Sequence, residues 1–235
     1  DLAMRVGRDD GDEAEDEDDD ATDGSDEPKP QVWVYDLERG GDARQVTDRE
    51  EGVRDFDWGP DGERVVVSAR DPTDEEREYL DQRRDDGPIE TERLQHKADG
   101  RGWLDTVTTY LFVVDVATRE ERRLDDAYGG GISEALAGLE PAWHPTDDRI
   151  AFCAYHGDDA DDTHVYDVYV VDAEGGPAER LTDGEYAASS PVWSPDGSRL
   201  AFGARDPANW YVPGDVCVAD TDTGAYAPVT EGLDR

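Results

Sequence analysis

Residues 191–206 read PVWSPDGSRLAFGARD, and the order of chemistry along them is that of a β-hairpin. Pro195 fixes φ, Asp196 can bond its own backbone and Gly197 accepts a positive φ, so the Pro-Asp-Gly segment is a tight turn. Beyond it Leu200 and Phe202 alternate with the small residues Ala201 and Gly203, the period-2 pattern of a strand with one face closely covered. Trp193 before the turn and Phe202 after it then lie across neighbouring strands.

The hairpin recurs. FDWGPDGERVVV at 56–67 and PAWHPTDDRIAF at 141–152 share its aromatic, its turn and its apolar run. Between these copies runs a second unit, in QVWVYDLERGGDARQVTD, YLFVVDVATREERRLDD, DVYVVDAEGGPAERLTD and DVCVADTDTGAYAPVTE, each reading strand, turn, strand. Val46 to Trp58 and Leu181 to Trp193 are both 12 residues, while Trp143 to Leu181 is 38 and Trp193 to Val229 is 36. A period of about 50 residues holding four short strands is that of a propeller blade. The runs are also too short and too rich in β-branched and aromatic residues for helices.

The sequence therefore predicts an all-β fold, a partial β-propeller of about three to four four-stranded blades. Residues 55–124, 139–182 and 189–230 form three blades and 2–47 part of a fourth, within a single propeller segment covering 1–235. The last unit stops short of the next expected tryptophan. It is expected to be completed by its own remainder or by another chain, and open propeller edges invite self-association. One blade is interrupted at 71–108. There Thr73–Arg84 has an N-cap, acids in its first turn and arginines in its last, which predicts a helix, and Pro88 stops its continuation. Long insertions of this kind often carry function.

Charge narrows the class of partner. Among 235 residues, 62 are acidic and 23 basic, a net charge of −39, which repels phosphate backbones and anionic lipid surfaces, so neither nucleic acid nor membrane is an expected partner. Lys29 and Lys97 are the only lysines; this balance resembles proteins of salt-loving archaea. Salt screens such a surface, and dilute buffer is expected to destabilise it. Residues 9–27 hold 13 acids among 19 residues and no large apolar side chain, the composition of a disordered acidic loop, set between the strand-like LAMRV and VWVYDL. Cys153 and Cys217 lie in the apolar runs IAFCAY and DVCVAD, where a buried thiol behaves as a small hydrophobe. No stretch is long and apolar enough for a membrane span and no export signal is visible, so the expected location is cytoplasmic.

The xxWSPDGxxIAF unit, followed by the VYVVD…GG…LT hairpin, resembles the WD-like propeller repeat shared by TolB and by prolyl oligopeptidase-family peptidases. The insertion, from DPTDEEREYL through IETERLQHKADGRGWLDT to TYLFVVDVATREERRL, is similar to the propeller of acylaminoacyl-peptidases and dipeptidyl aminopeptidases. Gln95-His96-Lys97 stands where that family more usually has an aromatic-basic step. The resemblance implies a propeller that covers a C-terminal α/β-hydrolase domain and contacts short peptide substrates; a free-standing TolB-like binding module is the other expectation. No G-x-S-x-G nucleophile elbow occurs in 1–235, so no catalytic residue is assigned and this segment is not expected to cleave peptides alone.

Candidate sites are few. Trp58, Trp143 and Trp193 share one place in the repeat and are expected to pack between blades, and Asp61, Asp147 and Asp196 belong to turns. His156, Asp158, Asp159, Asp161, Asp162 and His164 match no established metal spacing, so they read as a solvated acidic loop; no metal or other cofactor is expected. Arg93, His96, Lys97 and Arg101 concentrate scarce positive charge in the insertion. On the peptidase resemblance they form a substrate-access face that meets a substrate carboxylate or the hydrolase domain; otherwise they pair with surrounding acids.

Overall fold

A computed structural model of the chain describes residues 2–6, 29–37, 40–85, 87–91, 96–98, 102–129, 138–157, 163–209, 211–230 and 232–233, with the strand at 2–6 described by its backbone alone. The strands fall into successive antiparallel sheets, each built from a consecutive stretch of chain. The first holds β1 (Leu2–Val6), β2 (Gln31–Tyr35) and β3 (Arg44–Gln45). The second holds β4 (Asp55–Trp58) and β5 (Arg64–Arg70); the insertion follows, with α1 (Asp74–Arg84) and the short hairpin β6 (Lys97–Ala98) and β7 (Gly102–Trp103), before β8 (Thr109–Asp115) and β9 (Glu121–Tyr128) complete the sheet. The third runs β10 (Ala142–Trp143), β11 (Arg149–Ala154), β12 (Asp167–Asp172) and β13 (Glu179–Arg180), and the fourth β14 (Ala187–Trp193), β15 (Arg199–Arg205), β16 (Asp215–Asp220) and β17 (Tyr226–Pro228). Chain order is sheet order in all four. The acidic run 9–27 lies outside the described residues.

The hairpin at 191–206 forms as its chemistry requires. Gly197 takes φ 71°, and Asp196 Oδ1 accepts from the Ser198 backbone N–H at 3.1 Å and from the Ser194 and Ser198 hydroxyls at 2.6 and 2.8 Å. These hydroxyl and N–H donors hold the carboxyl well below its ordinary value, at about 2. Leu200 and Phe202 are buried while Ala201 and Gly203 are only partly so.

Successive sheets bury their facing apolar sides against one another. Val32, Val34 and Val46 of the first share a cluster with Val65, Val67 and Phe112 of the second. Leu111 and Leu124 of the second join Trp143, Ile150 and Phe152 of the third. Ala151, Cys153 and Val168 of the third meet Trp193, Leu200, Phe202 and Cys217 of the fourth. Both cysteines are therefore free and buried, and burial pushes the Cys153 thiol far above its usual range.

The tryptophans sit in these junctions as expected from their place in the repeat. Trp193 donates its indole N–H to the Ala142 carbonyl of the preceding sheet at 2.9 Å. The Asp57 carboxylate of the second sheet accepts from the Trp143 backbone N–H at 2.7 Å; burial raises its pKa against the lowering effect of that bond and of the Trp58 N–H. Arg64 and Arg149, each the first residue of its sheet's second strand, lie over the rings of Trp143 and Trp193 in the following sheet, at 5.2 and 5.4 Å from the ring centroids, within cation–π range.

The turn glycine of the fourth sheet belongs to the same contact. His144 of the third sheet meets the Trp193 ring edge-on at 4.7 Å and approaches the Gly197 carbonyl at 3.2 Å. A Cβ on Gly197 would stand 1.9 Å from His144 Nε2, whereas one on Gly62, with φ 69°, would meet nothing within 4 Å. Gly62→Ala is expected to cost about 1–2 kcal/mol for its left-handed backbone, and Gly197→Ala a further ~1–3 kcal/mol for the overpacked junction. Urea midpoints of the two variants at one salt concentration measure the difference; equal losses would show that the His144 contact contributes nothing.

Candidate functional face

The connections between strands differ sharply at the two ends of the sheets. First and second strands are joined by the tight turns 59–63, 144–148 and 194–198, and third and fourth by 116–120, 173–178 and 221–225. At the other end β1 and β2 are joined by 7–30, and the second and third strands of the other three sheets by 71–108, 155–166 and 206–214. These longer connections all leave from one end of the sheets, and contacts between neighbouring sheets are made there. Leu139 N–H donates to Ser68 Oγ near the root of the insertion at 3.2 Å. His156 stacks between Tyr128 and Tyr169, with centroids 4.0 and 4.3 Å away, and its Nε2 lies 2.9 Å from the Tyr128 carbonyl.

Helix α1 starts where Thr73 caps it. Thr73 Oγ1 accepts from Glu76 N–H at 3.3 Å, and the Glu76 carboxylate accepts from Thr73 N–H at 2.7 Å, a reciprocal capping box. One apolar residue, Leu80, is buried along the helix, too little to dock it by the hydrophobic effect alone. Charges do that work instead. Glu51, whose side chain is only 5% exposed, accepts Arg70 at 3.1 Å and Arg84 at 2.7 Å. Asp105, 11% exposed, pairs with Arg70 and lies 3.6 Å from Arg83. Beside them Arg49 bridges Asp71 at 3.1 Å and Glu121 at 2.9 Å while lying 3.8 Å over the Phe112 ring, and Arg123 reaches Asp71 at 2.8 Å. The insertion is thereby fixed to the connection between the first and second sheets.

Among the described residues, two hollows open on this end. One, of about 260 Å³, lies along α1 between Glu75, Glu76, Tyr79, Glu90, Leu104 and Asp105. The larger, about 470 Å³, lies between the third and fourth sheets, with a floor of small residues such as Gly138, Ala188 and Gly203 and charged groups from Glu140, Arg205 and Asp215. Its rim is strained. Glu140 and Ser190 hold φ of 48° and 51°, although each precedes a proline and would ordinarily be extended. Glu140 Oε2 accepts from the Ser190 N–H at 2.6 Å, joining the first strands of adjacent sheets, and β14 bulges between Ser189 and Val192.

Of the basic residues singled out in the insertion, Arg93 and Arg101 lie outside the described residues. His96 and Lys97 are exposed and line neither hollow; the His96 carbonyl accepts from Leu104 N–H at 2.9 Å. In the connection between β11 and β12, His156 is the stacked ring just described and His164 lines the larger hollow. Asp158, Asp159, Asp161 and Asp162 lie outside the described residues. Among the described residues no cluster suited to a metal ion occurs, and no helix is long and apolar enough to cross a membrane.

Comparison with known proteins gives the architecture its place. No protein-family profile matches the chain. An acylaminoacyl peptidase from Pyrococcus horikoshii superposes on 88% of the chain, over 29% of its own length, with a TM-score of 0.59 at 18% identity, and TolB from Acinetobacter baumannii on 85% of the chain, over 37% of its own length, with a TM-score of 0.54 at 18% identity. The fold is a β-propeller. The four sheets are its blades. Among curated sequences the chain is 29% identical over 143 residues to an uncharacterized Bacillus subtilis peptidase, YuxL, and 24% identical over 211 residues to the Tol-Pal system protein TolB of Hahella chejuensis. It spans 20% and 43% of the length of these two relatives.

If charges rather than apolar burial dock α1, removing one acceptor should free the helix without unfolding the blades. Asp105→Asn is expected to raise amide exchange across 74–84 at least tenfold, since breaking such a pair costs a few kcal/mol at full burial and less here. Exchange in β5 and β8 should be unchanged; undisturbed exchange in α1 would show that the charge network does not hold it.

Proposed function

We propose that this chain is the substrate-facing propeller of a serine peptidase, without a nucleophile of its own, which admits short peptides and contacts them. The observation that carries this reading is the gathering of the long connections, with the docked insertion and the larger hollow, on one end of the blades, while tight turns close the other. A sheath of this shape offers one elaborated face to a partner domain and its substrate. The similarity to a peptidase sequence and to an acylaminoacyl peptidase propeller supports the same reading.

In this arrangement the partner is a C-terminal α/β-hydrolase domain, which supplies serine, aspartate and histidine. Arg93, His96, Lys97 and Arg101 then serve as a basic edge on an otherwise acidic surface. Guanidinium groups there suit a peptide carboxylate or an acidic patch on the hydrolase domain. The proposed location is the cytoplasm, where two buried free thiols stay reduced. The longer match to TolB, over 85% of the chain, favours a second reading, a propeller that binds protein or peptide with no catalytic partner.

Labelling the full natural gene product with a fluorophosphonate separates the two. The peptidase reading expects one labelled serine, within a G-x-S-x-G elbow C-terminal to Arg235, and no label on residues 1–235. A full-length product that carries no such elbow and takes no label would overturn it in favour of the binding module.

A further inference from the structure

The larger hollow, between the third and fourth blades, exists because the fourth blade lacks the side chains that close the same place one junction earlier. Ser189 and Leu139 each stand four residues before their blade's tryptophan, and Gly203 and Cys153 each stand four residues after the arginine that opens the second strand. Hydrogen bonding matches the two pairs. Ser189 is paired with Gly203, and Cys153 N–H donates to the Leu139 carbonyl at 2.9 Å. Leu139 is fully buried, in one cluster with Leu111, Phe152 and Tyr169. Ser189 is exposed, and its Oγ takes up room that a Gly203 side chain would need, 2.7 Å from the position of a Cβ there. What remains is a cavity of about 470 Å³, within the size range of small-ligand sites.

Both blades supply polar groups to it. From the third, Glu140 binds the Ser190 N–H through Oε2, and its Oε1 has no hydrogen-bond partner among the described residues. From the fourth, the Ser189 hydroxyl is likewise unbonded among the described residues, Arg205 brings a guanidinium from the end of β15, and Asp215 accepts from the Thr230 hydroxyl at 2.7 Å. An open carboxylate oxygen on one blade and a guanidinium on the other, over a floor of Ala188, Gly203 and Cys153, fit a molecule with one charge of each sign and a short apolar side chain. We infer that this hollow binds a small amino-acid zwitterion, free or as a dipeptide, with its ammonium on Glu140 Oε1 and Ser189 Oγ and its carboxylate at Arg205. The left-handed backbone at Glu140 and Ser190 is costly before proline, and the rung it allows holds the Glu140 carboxylate at the rim. The site needs no nucleophile and no partner domain, so it stands apart from the peptidase reading.

The test is titration calorimetry of the full natural chain, pretreated with a fluorophosphonate so that any peptidase serine is blocked, with leucine and Gly-Leu as probes. Binding of either is the expected result, and the tighter of the two shows whether a free amino acid or a dipeptide is preferred. N-acetylleucine and leucinamide each lack one charge and should bind about tenfold more weakly or worse, as should the better probe to Glu140→Gln, which keeps an acceptor for the Ser190 N–H. Ser189→Leu gives the fourth blade the side chain of the third and should abolish binding with Tm unchanged or raised. Should that variant not fold, Glu140→Gln and Arg205→Met carry the comparison. No heat from either probe at millimolar concentration would overturn the inference. So would binding that Ser189→Leu and Glu140→Gln leave intact, because the ligand would then sit elsewhere.

Discussion

The second blade is held to the third, and the third to the fourth, by an aromatic ring that crosses the junction, and the rest of the fold depends on it. A four-stranded sheet of this size has two apolar faces and cannot stand alone in water. Stacking blades face to face solves this, but flat apolar faces slide. Trp193 prevents sliding by donating its N–H to the Ala142 carbonyl, while Arg149 covers its ring and His144 abuts its edge. The junction before it reaches the same end differently, through the Asp57 carboxylate on the Trp143 backbone N–H and Arg64 over the ring.

Rigid junctions leave the connections free to diverge. The turn at 194–198 has no slack, since Gly197 already touches His144. At the other end the chain carries its insertion, its aromatic stack around His156 and its strained rung from Glu140 to Ser190. An acidic protein faces a particular difficulty in docking a polar helix there. It places its arginines where carboxylates are least exposed, so Glu51 and Asp105 serve as anchors for Arg70, Arg83 and Arg84. Such partly buried pairs are screened by salt far less than surface ones.

The blades were legible because turn chemistry and strand period are local: Pro195-Asp196-Gly197 and the alternation at Leu200–Phe202 name the hairpin without knowledge of its neighbours. Thr73 and Glu76 mark the start of α1 for the same reason. The larger hollow was not legible, because Gly138, Ala188 and Gly203 carry no signal until two blades meet. A trace did exist in Glu140-Pro141 and Ser190-Pro191, which occupy the same place before Trp143 and Trp193, but positive φ before proline cannot be read from residue type. Nor could the anchors of α1 be chosen in advance: with 62 carboxylates, only burial distinguishes Glu51 and Asp105. The basic cluster in the insertion was conspicuous by charge, yet His96 and Lys97 line neither hollow.

The central claim is that a tryptophan and the preceding blade's arginine act as a unit across the junctions at Trp143 and Trp193. A double-mutant cycle of Arg149→Ala and Trp193→Leu, read as urea unfolding free energies at constant salt, tests it most directly. A coupling of about 0.5–1 kcal/mol, the range for a partly exposed cation–π contact, is the predicted result. Strictly additive losses would mean that the two side chains stabilise their blades separately, and the account of the junction would be wrong.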